Sequence, residues 1–598
     1  VASSLPSSTI TGTSASDVRA STPGVAALIE TFGSADTITL QNTGDWGIGG
    51  DGADSIRIGA TDAVALNQSV QGGFGSDTIS IGSTAIAAAT FAVGANQGND
   101  SISIQANASI AMSLASIGGG LGNDTIATSG IATMSSATIK GGDNNDSIVI
   151  ASGAITNSSV NGNKGADFLD IGFTASTGGT VGGGLGQDTI LLSGVAAGNA
   201  ASFVNGGGGT DSINLLLAGG GGTTINGGGL SDTITLNDAV NGVVIYGDAN
   251  GITTSGSGTG GTADGADLIG ASTANLDAAS SIYGAGGNDT ITFLSAAGTV
   301  VADGGDNADS ITLTELDALS TVSGGLGGDT IAIGTAALAV TVDGGAGADN
   351  IQLEAGAGSS ILGGSGIDTI AIKQAAAGNS VIDGGTQADG IYFATATTGT
   401  LALLNGVATV KGGDGGDTIA FDQFETAASV LGGAGNDSIA IGMTTVQDLT
   451  FSDIGTIDGG AGVDTISFLS SKGDVFDTGG VVVTGQANIA YGSGDVIVIN
   501  TTAAVDSTTV FNGSTAGFAN GYLKTAAAGT ISVYSDGTDT IFAITDLVSS
   551  GVTFRITGAD LVTTTAADNT AVGGGSGNAN FGFSVAADTA TSYTITLT

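Results

Sequence analysis

The sequence predicts an all-β solenoid of parallel strands with about 20 residues per coil, followed by an irregular β region at its C-terminal end. Three observations carry this. First, one sentence repeats: GGFGSDTISI at 72–81, GGLGGDTIAI at 324–333, GGAGADNIQL at 344–353, GGDGGDTIAF at 412–421 and GGAGNDSIAI at 432–441. Its aspartate recurs twenty times, from Asp36 to Asp464. Second, position two after each aspartate is Ile or Leu in all twenty copies, and position four is bulky and apolar in all but those of Thr128 and Ala271. Small or polar residues stand between, which is the period-2 alternation of a strand with one buried face. Third, the glycines are preceded by a second alternating segment, as in TVDGG, VIDGG, TVKGG and TIDGG, each with one inward aliphatic residue (Val342, Ile382, Val410, Ile457). One such unit cannot bury its own core, whereas stacked units can.

Taken in order, residues 1–30 are a docking or capping segment rich in Ser, Thr and Ala, and 31–236 are the first half of the roll. Residues 237–270 break the period and form an expanded coil, with Asp248 and Asp264 as additional acids. Residues 271–478 are the second half, where the step from Asp289 to Asp389 stays between 19 and 21. From 479 to 598 the period is lost, and longer strands without glycine loops point to a cap, assembly or secretion region. The start at Val1, without an initiator Met or a basic-then-apolar leader, reads as processed or truncated.

The glycine–aspartate loop poses an electrostatic problem. Stacked coils bring the same carboxylate back every ~4.8 Å, and two unit charges at that spacing cost roughly 3.5 kcal/mol at an effective dielectric of ~20. The chain has 9 Lys and Arg against 54 acids, so it cannot neutralise the row itself. Calcium can, because it accepts six to eight carboxylate and carbonyl oxygens in flexible geometry, whereas magnesium insists on an octahedral shell. Glycine lets the loop adopt positive φ and turn its carbonyls inward. The candidate ligands are Asp54, Asp77, Asp100, Asp124, Asp146, Asp167, Asp188, Asp211, Asp232, Asp267, Asp289, Asp309, Asp329, Asp349, Asp368, Asp389, Asp417, Asp437 and Asp464. Loop carbonyls such as those of Gly73, Gly75, Gly325, Gly327, Gly345, Gly347, Gly433 and Gly435 would join them. Asp36, in FGSAD, lacks the double glycine; Asp211 follows GGGGT and Asp167 follows a lysine, so all three depart from the pattern.

Over about residues 31–478 the chain resembles the repeats-in-toxin family, whose nonapeptide G-G-x-G-x-D-x-U-x is a calcium motif. The resemblance implies a parallel β-roll, type I secretion to the cell exterior, and on the order of twenty calcium ions held between successive loops. Family rolls often carry the nonapeptide twice per coil. Here it occurs once, with turns such as GTAALAV at 334–340 on the other edge, so a single ladder is expected.

Composition narrows the function. With no histidine and no cysteine there is no Ser-His-Asp triad, no thiol nucleophile and no His-ligated zinc, which argues against an enzyme. A net charge of −45 excludes nucleic acid and anionic membrane surfaces as electrostatic partners. No apolar run reaches 18 residues, so no transmembrane helix is expected. GIGGDG at 47–52 fits a dinucleotide fingerprint, and Asn-Asp-Ser/Thr at Asn99 and Asn123 fits a glycosylation sequon, but glycine-rich loops ending in Asn-Asp generate both. The expectation is a secreted calcium-binding structural protein that self-assembles, head to tail and laterally, into a surface layer or filament. Cell-surface polysaccharide is its other candidate partner. The alternative is a rigid extender segment of a calcium-dependent adhesin.

Overall fold

The computed structural model describes residues 8–468 apart from short stretches between strands, the longest being 194–202, 249–264, 394–402 and 442–455. Beyond 468 it describes only strands. The described residues contain no helix, and the chain is a β-solenoid with about 21 residues per coil. Each coil contributes an inbound strand, which runs into the glycine loop, and an outbound strand, which leaves from the aspartate. Trp46–Asp51 and Ser55–Ala60 are one such pair; Thr341–Ala346 and Asn350–Glu354 are another. Inbound strands stack on inbound and outbound on outbound, in parallel and in register. Ile56 pairs with Ile79, Ile79 with Ile102 and Ile102 with Ile126, while Val342 pairs with Ile361 and Ile361 with Ile382.

That register is set by burial, because a slip of one residue would turn every aliphatic side chain outward. Ile38, Ile56, Ile79 and Ile126 of the outbound row are fully buried, as are Val342, Ile382, Val410 and Ile457 of the inbound row. The outward positions hold Thr, Ser and Ala, which suit a half-exposed pleated surface.

The chain divides into two compact units, Val1–Asp306 and Asn307–Thr598. In the first, stacking begins earlier than the sequence period suggests: Ser8–Thr11 pairs with Ala27–Glu30 and Val18–Ala20 with Thr37–Leu40. The expanded coil leaves the stack intact. Val244–Asp248 occupies its inbound place, Leu268–Gly270 its outbound place, and Asp264 lies outside the described residues. In the second unit the parallel stack continues through Ala487–Ala490 and Val496–Asn500. There the pairing changes hand: Ser592–Leu597 runs antiparallel to Val496–Asn500, and Thr530–Ser535, Thr540–Thr545 and Gly551–Ile556 form an antiparallel meander. The rest of 479–598 lies outside the described residues.

Candidate metal centre: the aspartate ladder

The loop between the strands is built by glycines with distinct tasks. In GGFGSD the second and fourth residues, Gly73 and Gly75, take φ of 125° and 120°, a region closed to most side chains. The first glycine is held by crowding instead. A Cβ placed on Gly344 would lie 2.6 Å from Asp349 Oδ2 and 2.5 Å from the carbonyl oxygen of Gly363 in the next coil. The same two kinds of oxygen crowd the first glycine at Gly49, Gly119, Gly162, Gly183, Gly412 and Gly432. The glycine thus leaves a small space beside which one carboxylate oxygen and one carbonyl oxygen come together.

All twenty sequence-predicted aspartates are buried, with at most 3% of their surface exposed. Each rung's amide donates to Oδ1 of the next. In the first unit this runs from Asp36 to Asp54 (2.7 Å), Asp54 to Asp77 (2.8 Å) and onward to Asp289; in the second it runs from Asp309 to Asp464. Asp232 donates directly to Asp267 at 2.7 Å across 35 residues, so the expanded coil does not interrupt the ladder.

The other oxygen is different. Among the described residues, Oδ2 of Asp54, Asp77, Asp100, Asp124, Asp146, Asp167, Asp188, Asp211, Asp232 and Asp267 is buried without a hydrogen-bond partner. So is Oδ2 of Asp36, Asp349, Asp368, Asp389, Asp417 and Asp437. Leaving a buried polar atom unpaired costs about 1–3 kcal/mol, more when it is charged, so native proteins rarely do it. Burial pushes the Asp77 carboxyl up to about 7, with the Asp100 and Asp54 charges adding to it and the Asp54 amide opposing. It pushes Asp188 and Asp389 to about 7 and Asp437 to about 6. Asp232 and Asp267 reach about 9 and about 8; burial dominates there too, and the nearby Asp248, 2% exposed, adds its repulsion. A repeated orphan oxygen, dehydrated and facing a carbonyl, is a donor set for a hard oxygen-seeking cation. The residues therefore fit calcium. No three acidic side chains cluster at one point among the described residues, so a cation would take carboxylates from successive rungs and complete its shell with carbonyls.

Sequence reasoning placed the aspartates and missed three other parts. It named the carbonyls of Gly73, Gly75 and their counterparts; the first glycines, such as Gly72 and Gly363, place a carbonyl beside the same small space as Oδ2 and were not named. The carbonyls of Gly325, Gly327, Gly433 and Gly435 point at the glycine one coil further on. Asp17 is an additional rung: its amide donates to Asp36 Oδ1 at 2.6 Å. The only signal for it is Gly12, five residues earlier as in most later loops. Asp45, fully buried on the opposite edge, is the third. It stands in Asn-Thr-Gly-Asp, a turn signature. Lys164, the residue that made Asp167 doubtful, is exposed and paired with Asp143 at 3.1 Å, and Asp167 keeps both ladder bonds. No family model matches the chain, and no curated protein is significantly similar to it.

Proposed function

We propose that the chain is a calcium-dependent structural protein of the repeats-in-toxin kind that self-assembles outside the cell into a surface layer or filament. The observation that carries this is the unpaired Oδ2, repeated rung after rung beside a first-glycine carbonyl. The Asp54–Asp267 and Asp349–Asp437 carboxylates and the first-glycine carbonyls would hold the cation. Calcium would supply the positive charge that the composition lacks. The protein's own part is to fix those oxygens through the Oδ1 bonds and to exclude water from them. No catalytic role is proposed.

Assembly fits the outward face of the outbound sheet. Thr78, Ser80, Ser101, Ser103, Thr125 and Ala127 form a continuous uncharged surface there on a chain of −45. Neutralising the ladder removes the main repulsion between two copies. The adhesin-extender reading is favoured by one observation: Arg19 pairs in register with Ile38, placing a cation on the core row at the outermost described outbound strand. An inward charge of this kind discourages end-to-end pairing.

The test is chelation. Excess EGTA at pH 7.5 should abolish most β-sheet circular dichroism and expand the hydrodynamic radius, and 10⁻⁴–10⁻³ M calcium, roughly the affinity range of extracellular modules, should restore both. A spectrum and radius indifferent to EGTA would remove the calcium reading. Electron micrographs with calcium then separate sheets or fibres from single rods.

A further inference from the structure

The rungs at Asp17 and Asp36 carry threonine hydroxyls in their loops. At Asp36 the place of the first glycine, five residues earlier, is taken by Thr31, whose side chain is fully buried. Its Oγ1 donates to the Gly49 carbonyl at 2.6 Å. That carbonyl corresponds to the Gly363 carbonyl beside Asp349 Oδ2; here a hydroxyl already engages it. Asp36 Oδ2 stays buried without a partner, as on the later rungs, so what sets this rung apart is the engaged carbonyl and the Thr31 side chain in the space that glycine leaves elsewhere. At Asp17 the arrangement differs again. Asp17 Oδ2 accepts from the Thr13 amide at 2.5 Å and from Thr13 Oγ1 at 3.0 Å. Asp17 Oδ1 has no described rung behind it to supply an amide, and Arg19 Nη2 donates to it at 2.9 Å instead. The backbone bond to Thr13, helped by the Arg19 charge, holds the Asp17 carboxyl below the usual range, the opposite of the later rungs. The Thr13 and Arg19 donors also satisfy both carboxylate oxygens, so neither is left for a cation.

We infer that, among the described rungs, cation sites begin at Asp54, and that Thr13, Arg19 and Thr31 close the rungs at Asp17 and Asp36 so that those coils form a cation-independent cap on the row. The inference rests on the calcium reading above and adds to it a start point and a direction. In a stack where each coil contacts only its neighbours, growth is easiest from coils already formed. A cation at Asp36 would first have to displace the Thr31 side chain, and one at Asp17 would meet Arg19.

Native mass spectrometry of the full chain at saturating calcium counts the ions. Asp54→Asn should lower the count by at least one, Asp36→Asn should leave it unchanged, and Thr31→Gly, which restores the glycine, should raise it by at least one. If Asp54→Asn and Asp36→Asn both lower it, or Thr31→Gly leaves it unchanged, the cap inference is wrong while the calcium reading stands. A wild-type chain that takes up no calcium removes both. Hydrogen exchange during EGTA titration gives an independent readout that needs no variant. Peptides from residues 8–48 should lose protection after those from 54–232, and loss at or before the same EGTA concentration overturns the inference.

Discussion

Asp45 and Asp77 are both aspartates buried to within 1% of complete, and they are built in opposite ways. Asp45 Oδ1 accepts from the Ala27 amide at 2.8 Å, and Oδ2 accepts from Ser21 Oγ at 2.6 Å and from the amides of Asn42 at 2.8 Å and Gln41 at 3.0 Å. Asp77 has one amide on Oδ1 and none on Oδ2. The first is how a protein buries a carboxylate that must stand alone: charge-assisted bonds to backbone donors replace the lost water. The second leaves half of that solvation to be supplied from elsewhere. The same chain can do either, so the open half of the ladder is a property of the loop rather than a limit of the scaffold.

The largest consequence concerns protons, which compete with a cation for Oδ2. In the cation-free fold the ladder carboxyls are raised, from about 6 at Asp124 and Asp349 to about 9 at Asp232, above the ~3.9 of an unfolded aspartate. The folded form then binds more protons than the unfolded chain. Its stability is fully present below pH ~4 and is lost as pH rises through ~6 to 9. Protein in EGTA should therefore be mostly unfolded at pH 8 and regain β-sheet circular dichroism near pH 4, whereas calcium-loaded protein should be β-structured at pH 8. An EGTA-treated chain equally unfolded at both pH values would show that dehydration of the carboxylates is not what the cation relieves.

A pair of conservative substitutions sharpens the comparison on a smaller scale. Asp349→Asn keeps an acceptor for the Asp329 amide and turns an amide group toward the Gly363 carbonyl. It should raise local protection in EGTA and lower it in calcium. Asp45→Asn removes the acceptor for Ser21 Oγ and the Gln41 and Asn42 amides and should cost about 1–3 kcal/mol in both conditions. Hydrogen exchange on peptides spanning each residue, with and without calcium, reads the sign. If Asp349→Asn weakened the fold in EGTA as well, the unpaired oxygen would not be the open half of the site.

The sequence made the repeating parts legible and left the exceptions hidden, for one physical reason. Period-2 alternation and the Gly–Asp spacing are local, so Ile38, Val342 and the twenty aspartates could be placed without knowing the stack. The partners of Thr31, Asp17 and Asp45 lie in adjacent coils or in turn backbone whose path the spacing alone does not give. That Thr31 meets the Gly49 carbonyl, or that Ser21 meets Asp45, follows only once the register is known. The first-glycine carbonyls were not singled out for a similar reason, because spacing does not give which way each peptide faces along the stack.

The smallest expected effect tests whether charge on the ladder edge matters when it is not buried. Lys164 and Asp143 occupy paired positions of adjacent inbound strands, one step outside the ladder, with side chains 62% and 44% exposed. Their 3.1 Å contact is a surface ion pair, of a kind worth about 0.2–1 kcal/mol and screened by salt. Beneath them Asp146 and Asp167 keep the amide bond between rungs at 2.7 Å, and neither lysine nor Asp143 takes part in it. Lys164→Ala should therefore shift the stability of the calcium-loaded fold by less than ~0.5 kcal/mol and leave the number of bound ions unchanged in native mass spectrometry. A lost ion would mean that the exposed row shares in binding, and that the division between satisfied and open carboxylates is not drawn by burial alone.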